Sequence, residues 1–170
     1  MADGILKVGQ ITNSAGSGNI TIGSGVTVNV NRPSFLANYL TAQSIPDATN
    51  TKVQFDSELF DTDSNYDVSN YKFLPTEAGK YLVCVKVKFA NAQNCRVFSM
   101  IYKNGAEYER AEKYNNVSGA DPDPFAATII EFNGSTDYVE AYCRQDSGGA
   151  LTLDNNTVTR GYFYSYKLGV

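Results

Sequence analysis

Short segments in which apolar and polar residues alternate recur along this chain, and they constrain its fold more than any other feature of the sequence. The clearest runs from Lys80 to Phe89, where every second residue from Tyr81 onward is apolar. Because successive side chains of a β-strand point to opposite faces, this alternation predicts a strand with one buried face. Similar segments follow between turns rich in Gly and Asn, with little sequence that favours helix. This pattern predicts an all-β sandwich.

A β-hairpin is predicted in the middle of the chain. The segment from Cys95 to Lys103 is apolar on both faces, which is typical of a central strand. Asn104 and Gly105 follow it directly, and an Asn-Gly pair favours the two-residue turn of a hairpin. The next segment, Ala106 to Tyr114, has the highest helix propensity in the chain. Its position directly after the turn nevertheless predicts the return strand.

The first 31 residues differ from the rest and are interpreted as an attachment arm, with a single head domain over residues 32–170. Residues 12–19 are rich in Gly, Ser and Asn, and the segment after them alternates as one or two short strands would. A two-stranded hairpin is marginally stable alone, so the arm is expected to dock on its own head, a sister subunit or another protein. The apolar residues of the arm are Ile5, Val8, Ile11, Ile20, Ile22, Val26, Val28 and Val30.

Histidine is absent from the sequence, which removes several classes of enzyme. There can be no Ser-His-Asp triad, no Cys-His dyad and no imidazole metal ligand. If residues 133–136 close a hairpin, Glu131 and Glu140 share one face, as a glycosidase could require. Arg144 and Tyr138 fall on the same face, so a solvated and partly neutralised surface is the better interpretation. We expect no catalytic residues and no enzyme activity.

The balance of charged residues indicates which partners the chain can be expected to bind. The chain carries 14 Lys and Arg against 18 Asp and Glu, a net charge of −4. Such a surface does not attract phosphate backbones, so nucleic acid is not an expected partner. No apolar run approaches the roughly 18 residues that span a bilayer, and Asp3 stands where a signal peptide carries a basic residue. We therefore expect synthesis in a cytoplasm and no membrane association.

One acidic segment is a candidate calcium site, and the three cysteines are not. Oxygen-bearing side chains alternate as in a calcium loop, at Asp61, Asp63, Asn65 and Asp67. An EF-hand would need Gly and Glu where Tyr66 and Lys72 stand, so a looser calcium site and a loop that caps its own backbone are the two open interpretations. No other cofactor is expected.

The cysteines, which lack paired spacing and lie in apolar segments, are interpreted as small buried hydrophobes: Cys84, Cys95 and Cys143.

Five short motifs occur in a fixed order across Arg32 to Val170. They are the opening Arg32–Ala37, the Pro- and Gly-containing Tyr71–Val83, the hairpin Ile101–Gly105, the strand-turn-strand Ile129–Val139 and the closing Thr159–Phe163. In this order they resemble the jelly-roll superfamily of complement C1q-type and tumour-necrosis-factor-type domains. The resemblance implies a C1q/TNF-like jelly-roll β-sandwich, here with a short N-terminal β-arm.

The resemblance also implies a homotrimer. Three tyrosines of the last strand, Tyr162, Tyr164 and Tyr166, share one parity and are candidates for the trimer interface. That they instead fill the core of one subunit is an equally open alternative.

The arm distinguishes this chain from the animal members of the superfamily, because no collagen-like Gly-x-y repeat is present. A short β-arm before a C1q-like head resembles small virion proteins of tailed bacteriophages. This implies a trimeric structural protein on the virion exterior, made in the host cytoplasm and held through its arm by the major capsid protein or another virion protein. Capsid decoration or cement is the favoured role. The alternative is a tail-fibre or receptor-binding head that recognises a host surface glycan or protein.

Overall fold

The computed structural model describes residues 32–156 and 161–169. The predicted arm lies outside the described residues, so its apolar residues and its boundary at Asn31 stay predictions. In the described part, no helix has the length and apolar character needed to cross a membrane. The regular structure there consists of fourteen strands: β1 (Ser34–Asn38), β2 (Ser44–Ile45), β3 (Thr51–Lys52), β4 (Ser57–Asp61), β5 (Tyr66–Asp67), β6 (Lys72–Phe73), β7 (Gly79–Lys86), β8 (Phe89–Ala90), β9 (Cys95–Lys103), β10 (Ala106–Asn115), β11 (Phe125–Phe132), β12 (Val139–Gln145), β13 (Leu151–Leu153) and β14 (Tyr162–Gly169).

The strands form two main sheets, as the predicted sandwich requires. The first sheet has the order β11-β7-β14-β1-β4. The second has the order β10-β9-β12-β6-β5, with β3 also paired to β12, and a small third sheet joins β2, β13 and β8. Each of these strand pairs is antiparallel. The all-β fold class is therefore confirmed.

Aromatic side chains from both sheets fill the core. Phe35 of β1 stacks on Tyr66 and Phe73 of the second sheet, with ring centroids 4.8 and 4.4 Å apart. The ring of Phe163 in β14 meets Phe35 edge-on at 4.9 Å. These four side chains are buried. Offset and edge-on aromatic contacts add to the stability that burial of their area supplies, so the two sheets are joined chiefly by rings.

The central hairpin is present as predicted. Strand β10 pairs with β9 along its length, from Ala106 opposite Lys103 to Asn115 opposite Cys95. Asn104 and Gly105 both have positive φ, 53° and 80°, as the two-residue turn of a hairpin demands. The pairing overrides the helix propensity of the return strand, because β9 supplies backbone partners that an isolated segment lacks.

Residues 133–136 do not close a hairpin, which was the condition for Glu131 and Glu140 to share one face. Phe132 of β11 pairs with Gly79 in the first sheet, whereas Val139 of β12 pairs with Lys103 and Phe73 in the second. The connection therefore crosses from one sheet to the other, which lets both strands bury their apolar faces in one core. As a result Glu131 and Glu140 lie on different sheets, and the geometry proposed for paired carboxylates is absent.

Candidate functional site

A row of uncharged side chains runs across the outer face of the first sheet. Directly paired residues of antiparallel strands share a face, so the register identifies the members of this row. In order across the five strands they are Ala127, Cys84, Tyr164, Leu36 and Phe60. The row thus spans the full width of the sheet.

Two further rows flank the first. One contains Ile129, Leu82, Tyr166 and Ser34, and the other contains Phe125, Lys86, Tyr162 and Asn38. Of the side chains in these three rows only that of Lys86 is charged, and its Nζ lies 4.7 Å from the centroid of the Tyr162 ring. We call the three rows together the outer apolar face.

Large apolar side chains of this face are exposed to solvent. Ile129 is 55% exposed, Phe60 48% and Tyr166 42%. Single exposed apolar residues are ordinary on protein surfaces, but a contiguous patch marks an interaction site. A groove of about 580 Å³ runs along this face between Leu36, Phe60 and Tyr166.

The three tyrosines proposed from the sequence lie on the outer apolar face and not in the core. A hydrogen bond with Cys84, together with burial, raises the pKa of the Tyr164 hydroxyl. Burial likewise raises the pKa of the Cys84 thiol. Both groups are therefore neutral at neutral pH, and the middle of the face carries no charge. Sequence analysis did not identify Leu36, Phe60 or Ile129, because only the strand register shows that they join these tyrosines.

The acidic segment between β4 and β5 caps its own backbone. The carboxylate of Asp61 accepts hydrogen bonds from the backbone N–H groups of Asp63, at 3.2 Å, and Tyr66, at 2.6 Å. Hydrogen bonds from Asn70 lower the pKa of Asp67. Asn65 is buried beside them. Within residues 32–156 and 161–169, no three acidic, Cys or His side chains form a group that could hold a metal ion. Calcium binding stays a prediction.

The three cysteines are free thiols buried in strands or at a strand end. Burial raises the pKa of Cys143, which keeps it protonated and unreactive. This agrees with their interpretation as small hydrophobic residues.

Comparison with known proteins identifies the fold. No protein-family model and no curated protein matches the sequence. Solved structures do match: murine APRIL has a TM-score of 0.62 at 13% identity and covers 81% of this chain and 100% of its own. The globular domain of zebrafish complement 1qA has a TM-score of 0.57 at 10% identity, covering 80% of this chain and 97% of that domain. The Eiger TNF of S. frugiperda has a TM-score of 0.56 at 12% identity, covering 81% of this chain and 92% of its own. The chain therefore has the C1q/TNF-like jelly-roll fold.

Proposed function

We propose that this chain is a structural knob on the exterior of a tailed-phage virion, a homotrimer that buries the outer apolar face between its subunits. The first 31 residues hold the knob to the major capsid protein or another virion protein. The observation that carries the proposal is the uncharged, partly exposed row that crosses all five strands of the first sheet.

Burial of this face between subunits is favourable for two reasons. Tyr164, Leu36 and Phe60 present apolar area whose removal from water stabilises association. They stand on a hydrogen-bonded sheet, so little conformational entropy is lost when a partner packs on them. Aromatic side chains have few rotatable bonds, which lowers this cost further.

The two edges of the sheet differ in a way that suits a closed ring. Ile129 and Phe125 project from the edge strand β11 and are about half exposed, whereas the groove lies over β14, β1 and the opposite edge strand β4. A contact between the projecting edge of one copy and the groove of the next is heterologous, and such contacts form a ring when the rotation between copies closes. The jelly-roll resemblance implies that the ring contains three copies.

The particle role rests on the sequence of the arm and its resemblance to small phage virion proteins. Of the two particle roles, we propose capsid decoration. We assign no catalysis, since Glu131 and Glu140 are divided between the sheets. The alternative role, a tail-fibre or receptor-binding head, shares the same trimer.

Substitutions on the outer apolar face test the trimer. Ile129→Asp and Phe60→Asp each place a charge on a half-exposed side chain, so they spare the core and oppose burial between subunits. We expect native mass spectrometry to show three copies for the unchanged chain and one copy for each variant.

Tyr114→Asp is the matched control, because Tyr114 is 60% exposed and belongs to β10 of the other sheet. It should stay trimeric. Two results would contradict the proposed interface: an unchanged chain that is monomeric at micromolar concentration, or face variants that remain trimers.

A further inference from the structure

The outer face of the second sheet carries a cluster of a different kind, which we call the tyrosine patch. It consists of Tyr102 in β9, Tyr142 and Glu140 in β12, and Tyr138 just before β12. The register places Tyr102 directly opposite Glu140. The rings of Tyr102 and Tyr142 stack with centroids 4.0 Å apart and planes at 22°. All three tyrosines are partly exposed.

Polar groups hold the patch in place. Lys52 Nζ donates a hydrogen bond to Glu140 Oε1 at 2.6 Å, and the Glu140 side chain is only 11% exposed. Asn50 Nδ2 donates to the Tyr102 hydroxyl at 2.8 Å. These bonds, with the stacking of Tyr142 on Tyr102, fix a carboxylate, an ammonium group, an amide and two rings before any ligand arrives, which lowers the entropic cost of binding.

The chemistry of the patch differs from that of the outer apolar face. Phe98 and Met100, which share this face of β9 with Tyr102, are buried. The patch therefore offers aromatic rings among charged and amide groups. A surface that binds another protein is expected to carry exposed apolar residues that anchor the partner, whereas Phe98 and Met100 on this face are buried. A pyranose ring instead combines a surface of C–H groups with a rim of hydroxyls, and it matches aromatic rings flanked by hydrogen-bonding groups.

We propose that the tyrosine patch is a carbohydrate-binding site. The C–H surface of a pyranose packs on the face of the Tyr142 ring that is turned away from Tyr102, and its hydroxyls bond to the second carboxylate oxygen of Glu140 and to Lys52. The patch lies on the second sheet, so binding does not depend on the proposed trimer interface. In a receptor-binding head, this site supplies the contact to the host glycan.

The test is an array of neutral-hexose and N-acetylhexosamine oligosaccharides probed with the full chain, followed by calorimetric titration of the strongest binder. We expect saturable binding that becomes about fivefold weaker in Tyr142→Ala, since an aromatic contact is worth about one kcal/mol. Glu140→Gln should weaken binding as well. Tyr142→Phe, which keeps the ring, should retain most of the affinity and guards against a folding defect in the alanine variant.

The matched control is Tyr114→Ala, which removes an exposed tyrosine about 20 Å along the β9–β10 ladder from Tyr102. It should bind like the unchanged chain. Failure to bind any oligosaccharide on the array overturns the proposal, and so does binding that survives Tyr142→Ala. Capture of an enzymatically deglycosylated host surface protein through the same tyrosines, without oligosaccharide binding, overturns it in favour of a protein ligand.

Discussion

Gly161, in the closing motif of the chain, packs closely against Lys86 at the end of β7 and Tyr39 just after β1. A Cβ at this position would overlap the carbonyl oxygen of Lys86 and come within 2.7 Å of the Tyr39 ring. Tyr39 is buried, and its hydroxyl accepts a hydrogen bond from the backbone N–H of Lys88. Burial raises the pKa of Tyr39 to about 12, so its hydroxyl stays protonated. The ring cannot move outward without losing the hydrogen bond from Lys88. The glycine is therefore required by packing.

Replacement of this glycine should destabilise the head. Gly161→Ala forces Tyr39 or the Lys86 carbonyl to move, and overpacking of this kind costs about 1–3 kcal/mol. The free energy of unfolding, measured by urea denaturation, should fall by this amount. Gly149→Ala is the control, because a Cβ there meets no atom within 4 Å. Equal stability of the two variants would show that the contact at Gly161 is tolerated.

At the scale of the elements, the crossing from β11 to β12 is tied down by Asp137. Its carboxylate accepts hydrogen bonds from Asn104 Nδ2 at 2.8 Å and the Asn133 N–H at 3.1 Å. Lys103 Nζ lies 3.1 Å from the same group. The bond from Asn104, with that from Lys103, lowers the pKa of Asp137. One carboxylate thus joins the turn of the β9–β10 hairpin to the loop that changes sheets.

The stabilisation by Asp137 should depend on pH. A carboxyl whose pKa is lower in the folded state stabilises the protein above its unfolded pKa of about 3.9, and this contribution is lost as the pH falls through the folded pKa. Asp137→Asn should therefore reduce the free energy of unfolding by about 1–2 kcal/mol at pH 7, as expected for hydrogen bonds to a charged group. The difference between the two proteins should shrink below about pH 4. A difference that is unchanged at pH 3 would mean that the charge is not involved.

The same loop shows how far sequence alone could reach. Alternation predicted β7, apolar residues on both faces predicted β9, and the Asn104-Gly105 turn predicted the return strand β10, because these signals are local. The partner of β11 is not a local property: the turn residues 133–136 suit a tight hairpin as well as a crossing between sheets. The outer apolar face was likewise predictable from the sequence only in part. Parity placed Tyr162, Tyr164 and Tyr166 on one face, but their neighbours Leu36 and Phe60 come from strands more than 100 residues away in sequence.

At the scale of the whole molecule, the described head has two unlike outer faces. The first sheet presents a mostly apolar, partly exposed surface, and the second presents tyrosines held among charged and amide groups. A mostly apolar surface suits permanent burial against copies of the same chain, whereas a polar aromatic surface suits a ligand that comes and goes. This division of roles is what we expect of a knob that is assembled once and then remains exposed on a particle.

Electron cryomicroscopy of purified phage particles tests this account most directly, with particles made using the full chain compared with those made using a chain that lacks residues 1–31. We predict threefold knobs on the particle exterior, with their first sheets turned toward the threefold axis and their tyrosine patches facing outward. Particles made with the shortened chain should lack the knobs, while the shortened chain is recovered free as a trimer. Knobs of another symmetry, first sheets facing solvent, or a shortened chain that still decorates the particle would contradict the account.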